Sequence, residues 1–554
     1  MPAEARAPRA SVASPRAALG RLTGMLPRPR LRLLSPLLLA IGLGVLGLPL
    51  GAQASRPAAK KPASVTTRTS AAARARPRVR SRARRAPVPS IRAAKPVGVD
   101  SLVAALSRVL RAANTGRWGA IVVSAETGDT LFAREPDGSF APASTMKLYT
   151  AAVALDRFGP AHRFETEVLR NGPILVDGTV DGDLILRGAG DPSLAPSGTG
   201  PDPLQTLAAE VARAGVRVIR GDVLGDASAF EDRRVPAGWK PANLRSKFAP
   251  RVSALSFGGN IASVIVRPAG RTAVVSLGGQ QQGIPIRSTV SVRAGSRSAA
   301  VRVRHDTLSG RVTVSGWIGS RSRARSYRLM IETPETFAAA AFRTALEAQG
   351  IEVLGESRAG VASLTAQPVT TWSSPPLARL VAHMNEDSDN HFAELIFRNA
   401  ARADGARGSA VEGDQALKAF LAERIGVPRD AVSASDGSGL STLDRVTPRS
   451  MVQLLAYAPT APWGESFKAS LPVAGRSGTL AGRMRGTAAQ DNVRAKTGTT
   501  GTVISLGGYV RTQDREELIF SFIYNGSSLT RARRAIDAMS VTLANFSRAG
   551  TAGN

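Results

Sequence analysis

The sequence predicts a mixed α+β (α/β) fold, in which an antiparallel sheet flanked by helices is divided by a mostly β inserted region. Three observations lead to this prediction. A helix, a hairpin and a second helix follow residue 98, strand patterns rich in valine, glycine and arginine fill the middle, and long amphipathic helices precede a late hairpin. The 554 residues are enough for more than one hydrophobic core.

The first 54 residues have the pattern of a secretory signal peptide. An arginine-rich segment precedes the uncharged run 33–50, and Ala52, Gln53 and Ala54 form a small-residue cleavage pattern. We expect an exported protein of the periplasm or cell envelope, cleaved near Ala54 and translated from Met1 or Met25. The alternative is an uncleaved membrane anchor, because the apolar run is nearly long enough to cross a bilayer.

Residues 55–97 contain 13 basic residues and no acidic one, within a chain whose formal net charge is +31. A segment of this composition cannot bury enough apolar surface to fold, so we expect a disordered tether. It lacks aromatic residues for base stacking, and its expected partner is an anionic wall polymer or membrane surface, with no specific nucleic acid. The chain has no cysteine, which excludes disulfides and thiolate metal sites.

Residues 98–163 form the first part of the predicted catalytic domain. The apolar spacing from Val99 predicts a helix, and WGAIVVSAETGDTLFAREP predicts a hairpin. The string APASTMKLYTAAVALDRFG then begins a buried helix that ends at Gly159. Ser144 and Lys147 are three positions apart in the first turn of this helix, so they lie on one face.

Residues 164–330 are the predicted β-rich insertion, with one helix in PLQTLAAEVARAG. Residues 331–548 are the second part of the catalytic domain, and 549–554 are a tail. In this second part, helices are predicted in PETFAAAAFRTALEAQG, PLARLVAHMNEDSDNHFAELIFRNAAR, EGDQALKAFLAERIG and LTRARRAIDAMSVTLANF, and strands in RAKTGTTGTVISLGGYVRTQDREELIFSFIYNG.

Three short strings carry the chemistry when they are taken together. They are S-T-M-K from Ser144 to Lys147, S-D-N from Ser388 to Asn390, and K-T-G beginning at Lys496. Each string alone is common. The ordered set has the first string at a helix start, the second between helices and the third at the start of a strand, and this combination is typical of serine acyl-transfer enzymes.

Acyl transfer needs a nucleophile, a base, a proton donor for the leaving group and an oxyanion hole. None of the four histidines lies in a hydrolase or metal-site motif, so a lysine is the candidate base. We expect Ser144 to attack the carbonyl carbon and Lys147 to accept its proton. Ser388 relays a proton to the departing amine, and Asn390 orients Lys147 or a substrate amide.

The K-T-G strand is the candidate substrate-binding strand. Lys496 can lower the pKa of Lys147 by its charge, as burial can. Together with Thr497, Gly498 and Thr499 it forms a strand edge that pairs with an extended peptide, and Lys496, Thr497 and Thr499 hold its terminal carboxylate. The backbone N–H groups of Ser144 and Thr499 are expected to form the oxyanion hole.

In these three motifs and their order, the chain resembles the low-molecular-mass class C penicillin-binding proteins, the D-Ala-D-Ala carboxypeptidase/endopeptidase family of serine peptidases. The resemblance spans about residues 99–546 and includes a separation of 244 positions between Ser144 and Ser388. The strings that support it are APASTMKLYTAAVAL, GAGDPSL, GDVLGDASAF, SDNHFAELIFR, SDGSGLS, LPVAGRSGTLAGRM and AKTGTTGTVISLGGYV.

The resemblance implies a β-lactamase/transpeptidase-like domain split around two inserted domains, one nested in the other. It implies hydrolysis of peptidoglycan stem peptides through an acyl-enzyme on Ser144, with β-lactams as covalent inhibitors and no metal or organic cofactor. It also makes Asp226, in GDVLGDASAF, a candidate contact to the amino end of the substrate side chain.

Two other functions fit the same residues. A β-lactamase-like hydrolase is disfavoured by the insertion and by the absence of an E-x-x-L-N string between Ser388 and Lys496. A non-catalytic cell-wall-binding protein on the same scaffold is disfavoured because all three motifs are intact.

Overall fold

The computed structural model describes residues 91–196, 200–278, 286–305, 312–402 and 407–549. The predicted signal peptide, the linker up to residue 90 and the tail after residue 549 lie outside the described residues. Within these ranges no helix combines the length and apolarity that a membrane crossing requires. The ten α-helices described are α1 Val99–Ala112, α2 Met146–Phe158, α3 Pro203–Arg213, α4 Pro334–Ala348, α5 Leu377–Glu386, α6 Asn390–Arg402, α7 Ala410–Phe420, α8 Pro448–Tyr457, α9 Gly464–Ala469 and α10 Leu529–Ala544.

The strands form five sheets. They are β1 Gly116–Ser124, β2 Thr130–Arg134, β3 Glu165–Arg170, β4 Thr179–Val180, β5 Leu184–Gly188, β6 Val218–Ile219, β7 Val223–Asp226, β8 Ile261–Ala269, β9 Thr272–Leu277, β10 Ile286–Arg293, β11 Ala299–His305, β12 Val312–Gly319, β13 Arg325–Met330, β14 Glu352–Val353, β15 Ser357–Ala359, β16 Gln367–Ser373, β17 Val432–Ser433, β18 Arg445–Val446, β19 Arg494–Thr499, β20 Val503–Arg511 and β21 Glu517–Gly526.

The main sheet combines strands from both ends of the chain. Its order is β19-β20-β21-β1-β2, and every neighbouring pair is antiparallel. Helices α1 and α10 pack on one face, and α2 and α8 lie in the core on the other face. This is the predicted antiparallel sheet flanked by helices.

The inserted region contains two larger sheets. The first has the order β15-β7-β5-β3-β16, accompanied by the short parallel sheet β14-β6-β4 and by helices α3 and α4. The second is six-stranded, in the order β11-β12-β10-β9-β8-β13, and in sequence it lies between β7 and α4. An antiparallel sheet flanked by helices and divided by a mostly β insertion confirms the predicted fold class.

The insertion ends later than the predicted boundary at residue 330. Strands β14, β15 and β16 pair with β6, β7 and β3, so residues up to Ser373 belong to the inserted sheets. Helix α4 packs its buried face in the same core. The prediction placed α4 in the catalytic part because amphipathic spacing shows that a helix has a buried face without showing what covers it.

The predicted linker also ends too late. Residues 91–97 pack against the C-terminal end of the chain, where Ala94 N donates to Thr542 Oγ1 at 3.1 Å and Asn545 Nδ2 donates to the Ala94 carbonyl at 3.2 Å. Val97 bridges to Ser547, and Ile91 packs against the core on the α1/α10 side of the main sheet. These backbone contacts give this short segment an ordered path despite its composition.

Candidate active site

The candidate nucleophile Ser144 lies in a tight turn that the main sheet holds in place. Residues Ala143–Thr145 form a 3-10 turn directly before α2, and Ala143 has a left-handed backbone with φ of +50°. The carbonyl oxygen of Pro142 accepts a hydrogen bond from Ser505 Oγ of β20 at 2.6 Å. Backbone of this kind persists only where its surroundings fix it, so β20 sets the position of Ser144.

The Lys147 side chain is buried beside Ser144. Its Nζ donates to Ser144 Oγ at 3.2 Å, to Asn390 Oδ1 at 2.7 Å and to the Ser438 carbonyl at 2.7 Å. Burial lowers the pKa of this lysine from 10.5 to about 8, although nearby acids oppose the shift. Part of Lys147 is therefore the free amine near neutral pH, which is the form that can accept the Ser144 proton.

Ser438 and Asp436 are site residues that the three motifs did not predict. They belong to the string SDGSGLS, whose loop closes around the Asp436 carboxylate. Oδ1 of Asp436 accepts from the backbone N–H of Ser438 at 3.0 Å and of Gly439 at 2.6 Å, and Oδ2 accepts from that of Ser441 at 2.7 Å. Asp436 thereby fixes the Ser438 carbonyl on Lys147. The available signal was an aspartate among glycines and serines, a composition typical of turns closed by a side chain.

A segment of the inserted region, residues 234–250, forms one wall of the site and is called the arm below. The buried Trp239 donates its indole N–H to Asp436 Oδ2 at 2.7 Å. Further along the arm, the Phe248 carbonyl accepts from Asn390 Nδ2 at 2.8 Å. Because the side-chain nitrogen of Asn390 makes that bond, the side-chain oxygen of Asn390 faces Lys147.

The S-D-N motif lies in the turn between α5 and α6. Ser388 has a left-handed backbone with φ of +56°, and Asp389 Oδ1 accepts from Phe392 N at 3.1 Å at the start of α6. Asn390 is the first residue of α6. The turn brings Ser388 and Asn390 to the same cleft as Ser144.

The K-T-G motif lies on β19, at the edge of the main sheet next to the Ser144 turn. Gly498 is needed for this approach, because a Cβ there would lie 2.7 Å from the Pro142 carbonyl oxygen. Lys496 is buried, and both burial and the charge of Lys147 lower its pKa well below 10.5, while Glu386 opposes that shift. The charge of one lysine thus acts on the pKa of the other, while the pKa of Lys147 itself is lowered by burial.

The cleft in front of Ser144 has a volume of about 1040 Å³. Of the predicted substrate-binding residues, Thr497 and Thr499 line it. Asp226 does not line it, and its candidate contact with substrate stays a prediction. Its buried carboxylate accepts from the backbone N–H of Ser228 and of Ala362, each at 2.8 Å, so it ties two strand ends of the inserted region together.

Buried acids lie beneath the site. Burial raises the pKa of Glu394 to about 8 and that of Asp444 well above 3.8, and the charge of Asp436 adds to both shifts. Glu394 is thus largely neutral at pH 7. In the described ranges no group of three or more His, Asp or Glu side chains is placed to hold a metal ion.

The chain is similar to known proteins over most of its length. The model of the family described as "D-Ala-D-Ala carboxypeptidase 3 (S13) family" matches residues 102–546. A D-alanyl-D-alanine carboxypeptidase from Actinomadura sp. (strain R39) is 33% identical over 444 residues, covering 77% of this chain and 81% of the relative. The crystal structure of penicillin binding protein 4 (dacB) from Haemophilus influenzae superposes with a TM-score of 0.66 at 26% identity, covering 78% of this chain and 98% of that one. A structure of the H. influenzae protein complexed with a novel β-lactam gives a TM-score of 0.63 at 24% identity, covering 79% of this chain and 98% of that one.

Proposed function

The chain belongs to the D-Ala-D-Ala carboxypeptidase 3 (S13) family and is a penicillin-binding serine carboxypeptidase, and from this premise we propose how its own residues carry out the reaction. The observation that carries the proposal is the pair formed by Ser144 and Lys147. The two side chains are 3.2 Å apart, and burial lowers the pKa of the lysine to about 8. A serine beside a largely desolvated amine is an activated nucleophile.

In the acylation step, Ser144 Oγ attacks the carbonyl carbon of the terminal D-Ala-D-Ala bond while Lys147 Nζ takes the hydroxyl proton. Asn390 and the Ser438 carbonyl hold the amine in line with Oγ at 2.7 Å each. Ser388 carries a proton to the departing D-alanine nitrogen as the C–N bond breaks. Water then hydrolyses the acyl-Ser144 ester, with Lys147 again acting as the base.

The substrate is an extended stem peptide that lies along the open edge of β19. Thr497 and Thr499 line the cleft there, and we propose that with Lys496 they bind the terminal carboxylate. The backbone N–H groups of Ser144 and Thr499 stabilise the tetrahedral oxyanion. Main-chain pairing with a strand edge gives affinity that is independent of side chains, which suits a short peptide.

The same geometry serves endopeptidase cleavage of a D-alanyl cross-link and acylation by β-lactams. Both reactions begin with attack of Ser144 on a carbonyl carbon next to a carboxylate-bearing group. The cleft is open enough for a branched peptide, at about 1040 Å³. Cross-linked peptides and β-lactams are therefore included among the proposed substrates and inhibitors.

The proposed site of action is the periplasm or cell envelope, reached through the leader of residues 1–54. The basic linker after it is proposed to contact an anionic wall polymer or a membrane surface. Mass measurement of the secreted protein tests the leader, since cleavage near Ala54 predicts a chain that begins with Ser55. An intact N-terminus on membrane-bound protein would instead support the anchor.

The full chain and its Ser144→Ala variant are the pair that tests the reaction. Each is incubated with a pentapeptide muropeptide and with a cross-linked dimer, and the products are read by mass. Loss of one alanine from the monomer is the carboxypeptidase result, and conversion of dimer to monomers is the endopeptidase result. The variant should form neither product above background, a loss of at least about 1000-fold.

Incubation with penicillin distinguishes the proposed function from a β-lactamase-like hydrolase. A long-lived adduct on Ser144 in the wild-type protein, absent from the variant, fits the proposed function. Rapid release of hydrolysed penicillin would favour a β-lactamase-like hydrolase. A wild-type protein that gives no product and no adduct would refute the assignment of Ser144 and Lys147.

A further inference from the structure

The six-stranded inserted sheet concentrates positive charge. Residues 261–330 contain twelve arginines, no lysine or glutamate, and a single aspartate, Asp306. Ordinary protein surfaces intersperse charges of both signs, because like charges at close range repel one another. A segment so one-sided in charge is therefore a candidate binding surface.

Strand register places part of this charge on one face. Arg304 of β11 and Arg287 of β10 are both direct partners of Thr313 on the intervening strand β12. Directly paired residues point to the same side of a sheet. The alternating neighbours Val303 and Val292 pack against the core of the inserted region, so the arginines point outward.

Two further sets of neighbouring residues on β10, β11 and β12 extend the same face. Arg302 pairs with Ser315, which in turn pairs with Thr289. Further along, the Arg293 guanidinium lies 4.0 Å from the centre of the Trp317 ring. The set Arg287, Arg293, Arg302 and Arg304 is called the arginine face, and all four side chains belong to exposed residues.

The charge of the arginine face is not neutralised within the described ranges. The ion pairs of the described inserted region join other arginines to acids, such as Arg251 to Glu332 and Arg234 to Glu335, and none of them involves this face. Between the arginines lie hydroxyl groups, such as that of Thr313. Guanidinium forks and hydroxyls together are donors suited to phosphate oxygens.

We propose that the arginine face binds a linear phosphodiester polymer built from short sugar or polyol units. Neighbouring strands are about 4.8 Å apart, so Arg304 and Arg287, two strands apart, are separated by about 10 Å, and Arg302 and Arg304 by about 7 Å along β11. Such distances match phosphates that recur once per short unit. The polymer's own negative charge complements the face.

The aromatic content of the face favours this polymer over nucleic acid. Trp317 is the indole on the face, and the Arg293 guanidinium covers its ring. A covered ring offers no stacking platform for a base. Recognition on this face therefore relies on the phosphate groups.

This binding is separate from the chemistry at Ser144, because the face belongs to the nested six-stranded sheet. Its consequence is a gain in local concentration. An enzyme held on an anionic polymer within the peptidoglycan layer meets stem peptides at a higher effective concentration than a freely diffusing one.

The test compares two triple variants of the full chain that remove the same net charge. One is Arg287→Gln, Arg302→Gln and Arg304→Gln on the arginine face. The matched control is Arg108→Gln, Arg134→Gln and Arg379→Gln, three exposed arginines of α1, β2 and α5. Both retain the basic linker, so its contribution is common to all samples.

Binding to poly(glycerol phosphate) is measured by fluorescence anisotropy between 50 and 300 mM salt, with DNA of equal phosphate number as the second probe. The face variant should lose at least about tenfold in affinity at 100 mM salt, and the slope of log K against log salt should fall by about 2 to 3. The control should stay within about twofold. Carboxypeptidase activity on a soluble pentapeptide should be unchanged in both variants.

Two results would overturn the proposal. Equal losses in the two triple variants would assign the binding to overall charge. Tighter binding to DNA than to poly(glycerol phosphate), with the same dependence on the face, would assign the face to nucleic acid. If the wild-type chain does not hydrolyse the pentapeptide, that result counts against the proposed function. The measurement of polymer binding is unaffected by it.

Discussion

At the residue scale, the site depends on two lysines buried in one place. Burial is the main cause of the lowered pKa of both Lys147 and Lys496, and the charge of Lys147 contributes to the shift of Lys496. Each protonated lysine makes protonation of the other less favourable. Under the proposed function, a substrate carboxylate bound at Lys496 would offset that repulsion, which would link substrate binding to the protonation of Lys147.

The pH dependence of acylation should follow the free amine of Lys147. Because the pKa of this lysine is lowered to about 8, the deprotonated fraction falls with decreasing pH below that value. The acylation rate should therefore rise about tenfold per pH unit up to about pH 8 and then level off. Stopped-flow measurement with a chromogenic β-lactam from pH 5.5 to 9.5 gives the profile. A rate that stays constant between pH 6 and 8 would contradict Lys147 as the base.

At the scale of elements, the arm couples the inserted region to the catalytic amine by two routes. Trp239 bonds to Asp436, whose loop presents the Ser438 carbonyl to Lys147. Phe248 bonds to Asn390, whose amide oxygen also contacts Lys147. Trp239 is accordingly a positioning residue, which acts on the amine through Asp436.

Trp239→Phe removes the indole N–H and keeps an aromatic ring. Without that donor the Asp436 loop loosens, and Lys147 loses alignment together with a carbonyl that stabilises its charged form. The plateau acylation rate should fall about three- to tenfold, and the midpoint of the pH profile should move to lower pH.

Trp463→Phe is the matched control, because Trp463 donates its indole N–H to Asp156 at 3.1 Å away from the cleft. Both variants should lose stability to a similar degree in thermal unfolding, with the pH profile of the control unchanged. A Trp239→Phe profile that coincides with the wild-type profile would show that the arm has only a packing role.

The site residues that a short sequence pattern marks could be predicted from the sequence, and those that no such pattern marks could not. Ser144 and Lys147 follow from a three-residue spacing, and the turn before Asn390 follows from two helical patterns that break at S-D-N. Ser438 and Phe248 act through backbone carbonyls, which any residue type can supply, so no side chain marks them. Helix α4 was assigned to the wrong region for a related reason, since its alanine- and phenylalanine-rich face fits any apolar sheet.

At the scale of the whole molecule, the two ends of the folded part support each other. Strand β1 pairs along its length with β21, and residues 91–97 run beside α10 and Ser547. The segment predicted to be tether is thus partly a piece of the fold.

A chain that starts at residue 98 should be less stable than one that starts at residue 91. It loses the Ala94 hydrogen bonds to Thr542 and Asn545, the bond from Ser547 N to the Pro96 carbonyl and the packing of Ile91. Three hydrogen bonds at about 1 kcal/mol each predict a Tm lower by about 2–5 °C. Differential scanning calorimetry of the two chains measures this difference in Tm. Equal Tm values would show that residues 91–97 contribute nothing to stability.

The main sheet needs strands from both ends of the chain, so it can be completed only late in synthesis. Ser144 and Lys147 are made early, whereas Lys496 follows 349 positions after Lys147 and β21 follows later still. Until those last strands emerge, β1 has no β21 to pair with and the nucleophile turn lacks the Ser505 bond that fixes it. An unfinished or prematurely terminated chain therefore carries the nucleophile without the ability to cut, and activity begins only when the ribosome has released almost the whole protein.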